Sequence, residues 1–218
     1  MVGLNTKSTL LPLLNNSLCS YYWLGFLLAD GHFSTSCLSI ELSTKDKAHL
    51  ATFLNFLSLP SSYLKIRTRC IFSGSFDQVS VKLNDVLTVP KIRTLLGLVE
   101  TNKTKHPPTN ISSFTLDQQL ALFVGFIDGD GCISKRANYS SAILSIEVDP
   151  TWLSILQHFE LLLKQFGNFT AKTRLYSSST RTTICRFQLR KSTILRSLKQ
   201  FATKNSLPIL TRKWDNII

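Results

Sequence analysis

"WLGFLLADGHFS", Trp23 to Ser34, runs from a largely apolar stretch straight into an Asp-Gly pair and then into a polar, strand-like segment. A helix that ends on a carboxylate is unusual, because the C-terminal end of a helix already carries partial negative charge. Something must compensate, unless Asp30 and Gly31 merely stop a buried helix, since Gly commonly follows helix ends and Asp is a frequent turn residue. A second copy decides between these readings. "LFVGFIDGDGCIS" at Leu122 to Ser134 aligns Gly125 with Gly25, Phe126 with Phe26, Asp130 with Asp30 and Gly131 with Gly31. Further on, "LSIEL" (Leu38 to Leu42) is answered by "LSIEV" (Leu144 to Val148), and "TNK" (Thr101 to Lys103) finds a looser echo in "TRK" (Thr211 to Lys213). The chain reads as a tandem repeat, residues 1–103 and 116–218, joined by the polar, proline-containing linker 104–115.

Length and composition agree with that reading. A chain of 218 residues with 44% apolar content suits two small units with real cores. Its 25 Lys and Arg against 13 Asp and Glu leave a net charge of +12, which favours a polyanionic partner, nucleic acid ahead of an anionic membrane. The longest apolar runs fall far short of the roughly 20 residues a membrane helix needs. Five cysteines, Cys19, Cys37, Cys70, Cys132 and Cys185, form no C-x-x-C pair, so neither a zinc site nor a disulfide framework is expected.

After each Asp-Gly the pattern predicts strands, an amphipathic helix (near 45–57 and 151–166), more strands and a closing helix (near 86–96 and 193–203). In "LKIRTRCIF", Lys65, Arg67 and Arg69 alternate with Leu64, Ile66, Thr68 and Cys70, which puts the cations on one strand face and the apolar groups on the other. Gln78, Ser80 and Lys82 alternate with Val79, Val81 and Leu83 in the next strand. Arg186, Gln188 and Arg190, with Lys172 and Arg174, repeat the arrangement in the second half, and Ser134, Arg136 and Asn138 after the second Asp-Gly are further contact candidates. An ordinary solvated face mixes both signs of charge. These strands carry almost no acids and suit phosphate contact and base-edge hydrogen bonding in a major groove.

Gly25 and Ala29, like Gly125 and Gly129, are four apart, so each helix has one strip with almost no side chain. Two such strips can pack with their backbones in close contact. Helices paired in that way bring Asp30 and Asp130 together at two negative helix ends, a spot that calls for cations. A hard divalent ion with oxygen ligands, Mg²⁺ above all, meets the need, and metals between carboxylates and phosphate support phosphodiester hydrolysis.

"WLGFLLADG" and "FVGFIDGDG" resemble the signature helices of the LAGLIDADG homing endonucleases of the monomeric, two-motif type, over nearly the whole chain. The resemblance implies an α+β fold of two pseudo-twofold-related αββαββα repeats, with antiparallel sheets forming a saddle on a double-stranded DNA target. It implies an intron-encoded, monomeric enzyme that cuts both strands of a long asymmetric site to leave 3′ overhangs, with Mg²⁺ shared by Asp30 and Asp130. It also implies a basic site residue after each closing helix, matched by Lys213 and by Lys103, with Lys105 as a rival for the latter. An organelle, mitochondrion or chloroplast, is the compartment it suggests. The sequence departs from the family at Leu28, where Asp128 keeps the common Asp, and at the start of the middle helix, where Thr44 and Lys45, or Asp149 and Pro150, replace a polar site residue. The repeated Glu41 and Glu147 are either water or metal contacts or partners for neighbouring polar groups on the sheet. Two other functions fit the same surface: an RNA maturase that helps an intron splice, and a cleavage-dead DNA-binding regulator, against which both intact aspartates argue. An EF-hand reading of "DGDGCISKRANY" fails, because Cys132, Ile133 and Tyr139 stand where ligands or the turn glycine are needed.

Overall fold

The structure, a computed structural model, describes residues 9–71, 74–135, 142–169, 171–178 and 181–217. Arg136 and Asn138, candidate contacts in the sequence, lie outside the described residues.

The first repeat runs α1 (Leu18–Asp30), β1 (Gly31–Phe33), β2 (Cys37–Ser43), α2 (Lys47–Phe56), β3 (Lys65–Ile71), β4 (Gly74–Asn84) and α3 (Thr88–Leu96). The second answers it with α4 (Leu116–Asp130), β5 (Gly131–Ser134), β6 (Ile143–Val148), α5 (Leu153–Leu163), β7 (Lys172–Ser178), β8 (Arg181–Leu189) and α6 (Ser192–Lys204), and adds one short helix, α7 (Thr211–Trp214). Each repeat builds a four-stranded antiparallel sheet, in the orders β1-β2-β4-β3 and β5-β6-β8-β7. The αββαββα plan expected from the sequence is therefore present twice. No described helix is long and apolar enough to cross a membrane.

Periodicity explains the layers. On β2 and β4, Leu38, Ile40, Leu42, Val79, Val81 and Leu83 are buried against α2, which supplies Leu50, Phe53 and Leu54. Leu144, Ile146, Phe187 and Leu189 face Leu156, Phe159 and Leu163 of α5 in the same way. The motif helices follow another rule. Every residue from Ser20 to Leu28 and from Gln119 to Asp128 is buried, as expected of helices covered on all sides. Ser17 and Thr115 cap their N-termini, the latter in a capping box with Gln118.

The two helices meet on their glycines. A Cβ on Gly25 would lie 1.8 Å from the Leu122 carbonyl oxygen, and one on Gly125 would lie 1.9 Å from that of Tyr22. No side chain fits in either place. Gly31 and Gly131 are not left-handed helix caps. Their φ values are −78° and −77°, so each chain turns directly into a strand, and it is the carbonyls of Leu27 and Ile127, 2.6 and 2.5 Å from a hypothetical Cβ, that exclude a larger residue.

Alternation in β3 puts Ile66 on the face away from the cations, yet that face is uncovered and Ile66 is 56% exposed; Leu175 on β7 is 51% exposed. On the back of the β3–β4 arm the Thr68 hydroxyl donates to Asp77 (2.7 Å).

Candidate active site

Asp30 and Asp130 are the last residues of α1 and α4, and the glycine contacts bring those ends together. Asp30 Oδ2 lies 3.3 Å from where a Cβ on Gly129 would stand, and the Ala29 methyl packs against the same glycine. Burial and the neighbouring Asp130 push the Asp30 carboxyl up to about 6, partly offset by Lys213 and Lys103. Burial raises Asp130 too, against the pull of Lys103 and Lys213.

Lysines supply the compensation that the helix ends require. Lys103 Nζ donates to the carbonyls of Leu28 and Ala29, and Lys213 Nζ lies within 3.2 Å of those of Ile127, Asp128, Gly129 and Gly131. Each ammonium thus caps the motif helix of its own repeat, where cations stabilise the negative end of the dipole. Burial lowers the pKa of both lysines, and the aspartates pull the other way. Lys105 is elsewhere, paired with Asp149.

The segments carrying these lysines are held by residues to which sequence reasoning gave no role. Asp128, fully buried, accepts from Tyr22 Oη (2.7 Å), Leu210 N (2.8 Å) and Trp214 Nε1 (2.6 Å), while Tyr22 Oη also meets His49 Nε2 (3.1 Å). Arg212 grips Asp46 bidentately, at 2.7 and 2.6 Å. Trp152 Nε1 donates to the carbonyls of Lys103 and Thr104, at 3.2 and 3.0 Å. Thr44 and Lys45 flank Asp46 in one turn, and it is Asp46 that reaches across to the second repeat. Signals did exist in Asp46, Trp152 and Trp214, but their partners are distant in sequence.

Residues 117–203 match the family model described as LAGLIDADG-like domain. That match spans most of the second repeat. No curated protein matches it. Among solved structures, the homing endonuclease I-WcaI bound to its DNA recognition sequence is similar at a TM-score of 0.60 and 9% identity, over 94% of this chain and 87% of that one. The LAGLIDADG homing endonuclease I-GzeII in complex with its DNA target gives 0.53 and 12%, over 89% and 88%. I-DmoI in complex with DNA and Mn gives 0.51 and 15%, over 87% and 96%. At these identities the likeness is one of fold.

Each sheet turns one polar face away from its helices. On the first sheet, register places Lys65 opposite Ser80, Arg67 opposite Gln78 and Arg69 opposite Phe76, with Lys82 beside Ser39. On the second, Lys172 faces Gln188, Arg174 faces Arg186 and Tyr176 faces Ile184, with Ser134 at the end of β5 and Arg190 just past β8. Glu41 and Glu147 sit on these faces and pair with strand arginines, Arg69 at 3.4 Å and Arg186 at 2.7 Å. Of the two readings of the glutamates, satisfying neighbouring polar groups is the one the contacts favour. A cleft of about 450 Å³ opens beside Asp130, bounded by Lys103, Glu147, Trp152 and Ile184, and joins the second sheet face to the carboxylates.

The donor set fits a divalent ion. No group of three or more potential His, Cys, Asp or Glu ligands occurs among the described residues, so a metal would rest on the two carboxylates, with water and phosphate completing its shell. Mg²⁺ is ordinarily held in that way, by one or two carboxylates plus substrate phosphates.

Proposed function

We propose that this chain is a site-specific DNA endonuclease that makes a divalent-metal-dependent double-strand break, with 3′ overhangs, in a long asymmetric target. The observation that carries the reading is the meeting of the Asp30 and Asp130 carboxylates at two helix ends, with Lys103 and Lys213 beside them, between two sheets whose polar faces are rich in Arg and Lys. Asp30 and Asp130 would hold Mg²⁺. The ion would supply an activated water and stabilise the leaving oxygen. The sheet residues anchor phosphates and read base edges, and the two ammonium groups balance negative charge at the centre. Since α1 and α4 pair within one chain, a monomer on one site is the expected active unit, and the different residues on the two faces argue against a palindrome.

The test is incubation with a random DNA library and Mg²⁺, followed by sequencing of cut ends. Recurrent breaks with 3′ overhangs at one long motif support the reading. Intact DNA, together with binding to a structured intron RNA, would favour the maturase alternative.

A further inference from the structure

The two site lysines occupy equivalent places at the ends of equivalent helices, yet the groups that hold them are not equivalent. Lys213 lies between Leu210, whose amide donates to Asp128, and Trp214, whose indole donates to the other oxygen of the same carboxylate. The Asp128 carbonyl also accepts from Lys213 Nζ, so one residue ties the helix end to the lysine segment through three hydrogen bonds. At the corresponding position of α1 stands Leu28, which has no side-chain acceptor. Arg212, beside Lys213, is gripped by Asp46 of the first repeat, and the Lys103 segment, which lacks an Asp128 counterpart, is fixed by contacts of that cross-repeat kind. Trp152 donates to the carbonyls of Lys103 and Thr104, and the Thr151 hydroxyl reaches Thr104 O at 3.3 Å. The Trp152 ring is buried and stacked on Phe126 of α4, with centroids 5.2 Å apart, so its N–H is rigidly aimed.

We propose that Asp128 and Trp152 are positioning residues, each fixing one site lysine, so that the two halves of the cleavage site can be impaired separately. The inference rests on the endonuclease reading. Misplacing a group by about 1 Å can cost on the order of 100-fold in rate. One lysine can therefore be disarmed while the other stays in register.

The experiment uses a doubly end-labelled target duplex and the full chain as Asp128→Asn, Trp214→Phe and Trp152→Phe. Trp152→Phe keeps the stacked ring and removes one donor, and Trp214→Phe weakens the Asp128 clamp without touching the buried carboxylate, so a fold failure of Asp128→Asn leaves two usable variants. The expected result is nicking: Trp214→Phe and Asp128→Asn slow one strand by about 10-fold or more relative to the other, and Trp152→Phe skews the ratio the opposite way. Amine-reactive labelling of the DNA-free protein, read by mass spectrometry, should show Lys213 gaining reactivity in the first two variants and Lys103 in the third. Equal slowing of both strands with unchanged labelling would overturn the proposal while leaving the endonuclease reading intact. A parent protein that cuts neither strand in Mg²⁺ would overturn both.

Discussion

At the helix pair the two repeats are nearly interchangeable; on the sheet faces they are not. Gly25 and Gly125 each press against a backbone carbonyl of the opposite helix, and the next small residues, Ala29 and Gly129, touch each other. On the faces, the Arg67–Gln78 pair of the first sheet has its counterpart in Tyr176–Ile184 of the second, as register from the paired Glu41 and Glu147 shows. The centre answers to sterics that both halves share, and the faces answer to whatever each half touches. The sharpest way to break that symmetry is at a glycine. Gly125→Val would drive a branched side chain into the Tyr22 carbonyl, where no rotamer escapes because the collision is with Cβ itself. The expected cost exceeds about 4 kcal/mol, a large share of the about 5–15 kcal/mol available to a typical protein, so the variant should not fold. Ala29→Gly, which only enlarges the gap facing Gly129, should leave a native circular dichroism spectrum. A folded Gly125→Val would refute the close-contact account.

Next in size is the chemistry. Asp130→Asn removes a charge on which any bound ion depends, so cleavage in Mg²⁺ should fall by orders of magnitude. DNA affinity in EDTA should hold or rise, because the lost carboxylate would otherwise repel phosphate. Gel shift and supercoiled-plasmid cleavage read the two separately, and parental cutting by the variant would reduce the Asp-Gly to a helix stop.

The motif helices, their glycine strips and the alternation of the strands were legible because each is a local pattern, and each is written twice. The holding contacts were not. Asp46 and Arg212 are 166 positions apart, and Asp128 lies 86 from Trp214, so no period links them. Helix α7 spans four residues, too few for a hydrophobic repeat, though it carries Lys213. At the start of the middle helix the sequence shows Thr44 and Lys45 in place of a polar site residue, and the residue that reaches across, Asp46, comes directly after them. Alternation told which face Ile66 shares, but not whether anything covers it.

The pH dependence tests how much the crowded carboxylates cost. Asp30, ordinarily near 3.8, is pushed up to about 6, so the folded state holds its proton between those values when the unfolded state has lost it. Its contribution is therefore favourable below about 4 and is lost as pH rises through 6. Asp130 and Asp128 act in the same direction. Buried His49, lowered to about 4 from 6.5, acts oppositely, since its share is full above 6.5 and is lost on acidification. Asp30→Asn leaves His49 in place and removes one charged carboxylate. Without metal or DNA, the variant should be more stable than the parent at pH 7.5 by at most about 3 kcal/mol, and the gain should vanish near pH 4. Urea titrations in EDTA at the two values decide it; a difference independent of pH would show that the Asp30 proton is not the cause.

The smallest effects should come from the faces, and they should differ in kind. Arg67 and Gln78 offer hydrogen-bond donors to base edges and charge to phosphate. Arg67→Ala should therefore cost roughly 1–3 kcal/mol in binding, and if Arg67 neutralises a phosphate the log–log salt slope should become shallower by about 0.9. Tyr176 and Ile184 offer an apolar surface, with the Arg186 guanidinium 4.7 Å from the tyrosine ring. The group in a major groove that suits such a surface is the thymine methyl. Replacing thymine by deoxyuridine under the second sheet removes one methyl and should weaken binding by about 0.8 kcal/mol, with no change in salt slope. The same replacement under Arg67 and Gln78 should matter less. In Ile184→Ala the sensitivity to deoxyuridine should fall, because the methyl loses one of its two apolar partners. Competition binding at two salt concentrations, with each half-site substituted in turn, measures all of these terms. Equal sensitivity in both halves would mean that the faces differ in sequence but not in the chemistry they read.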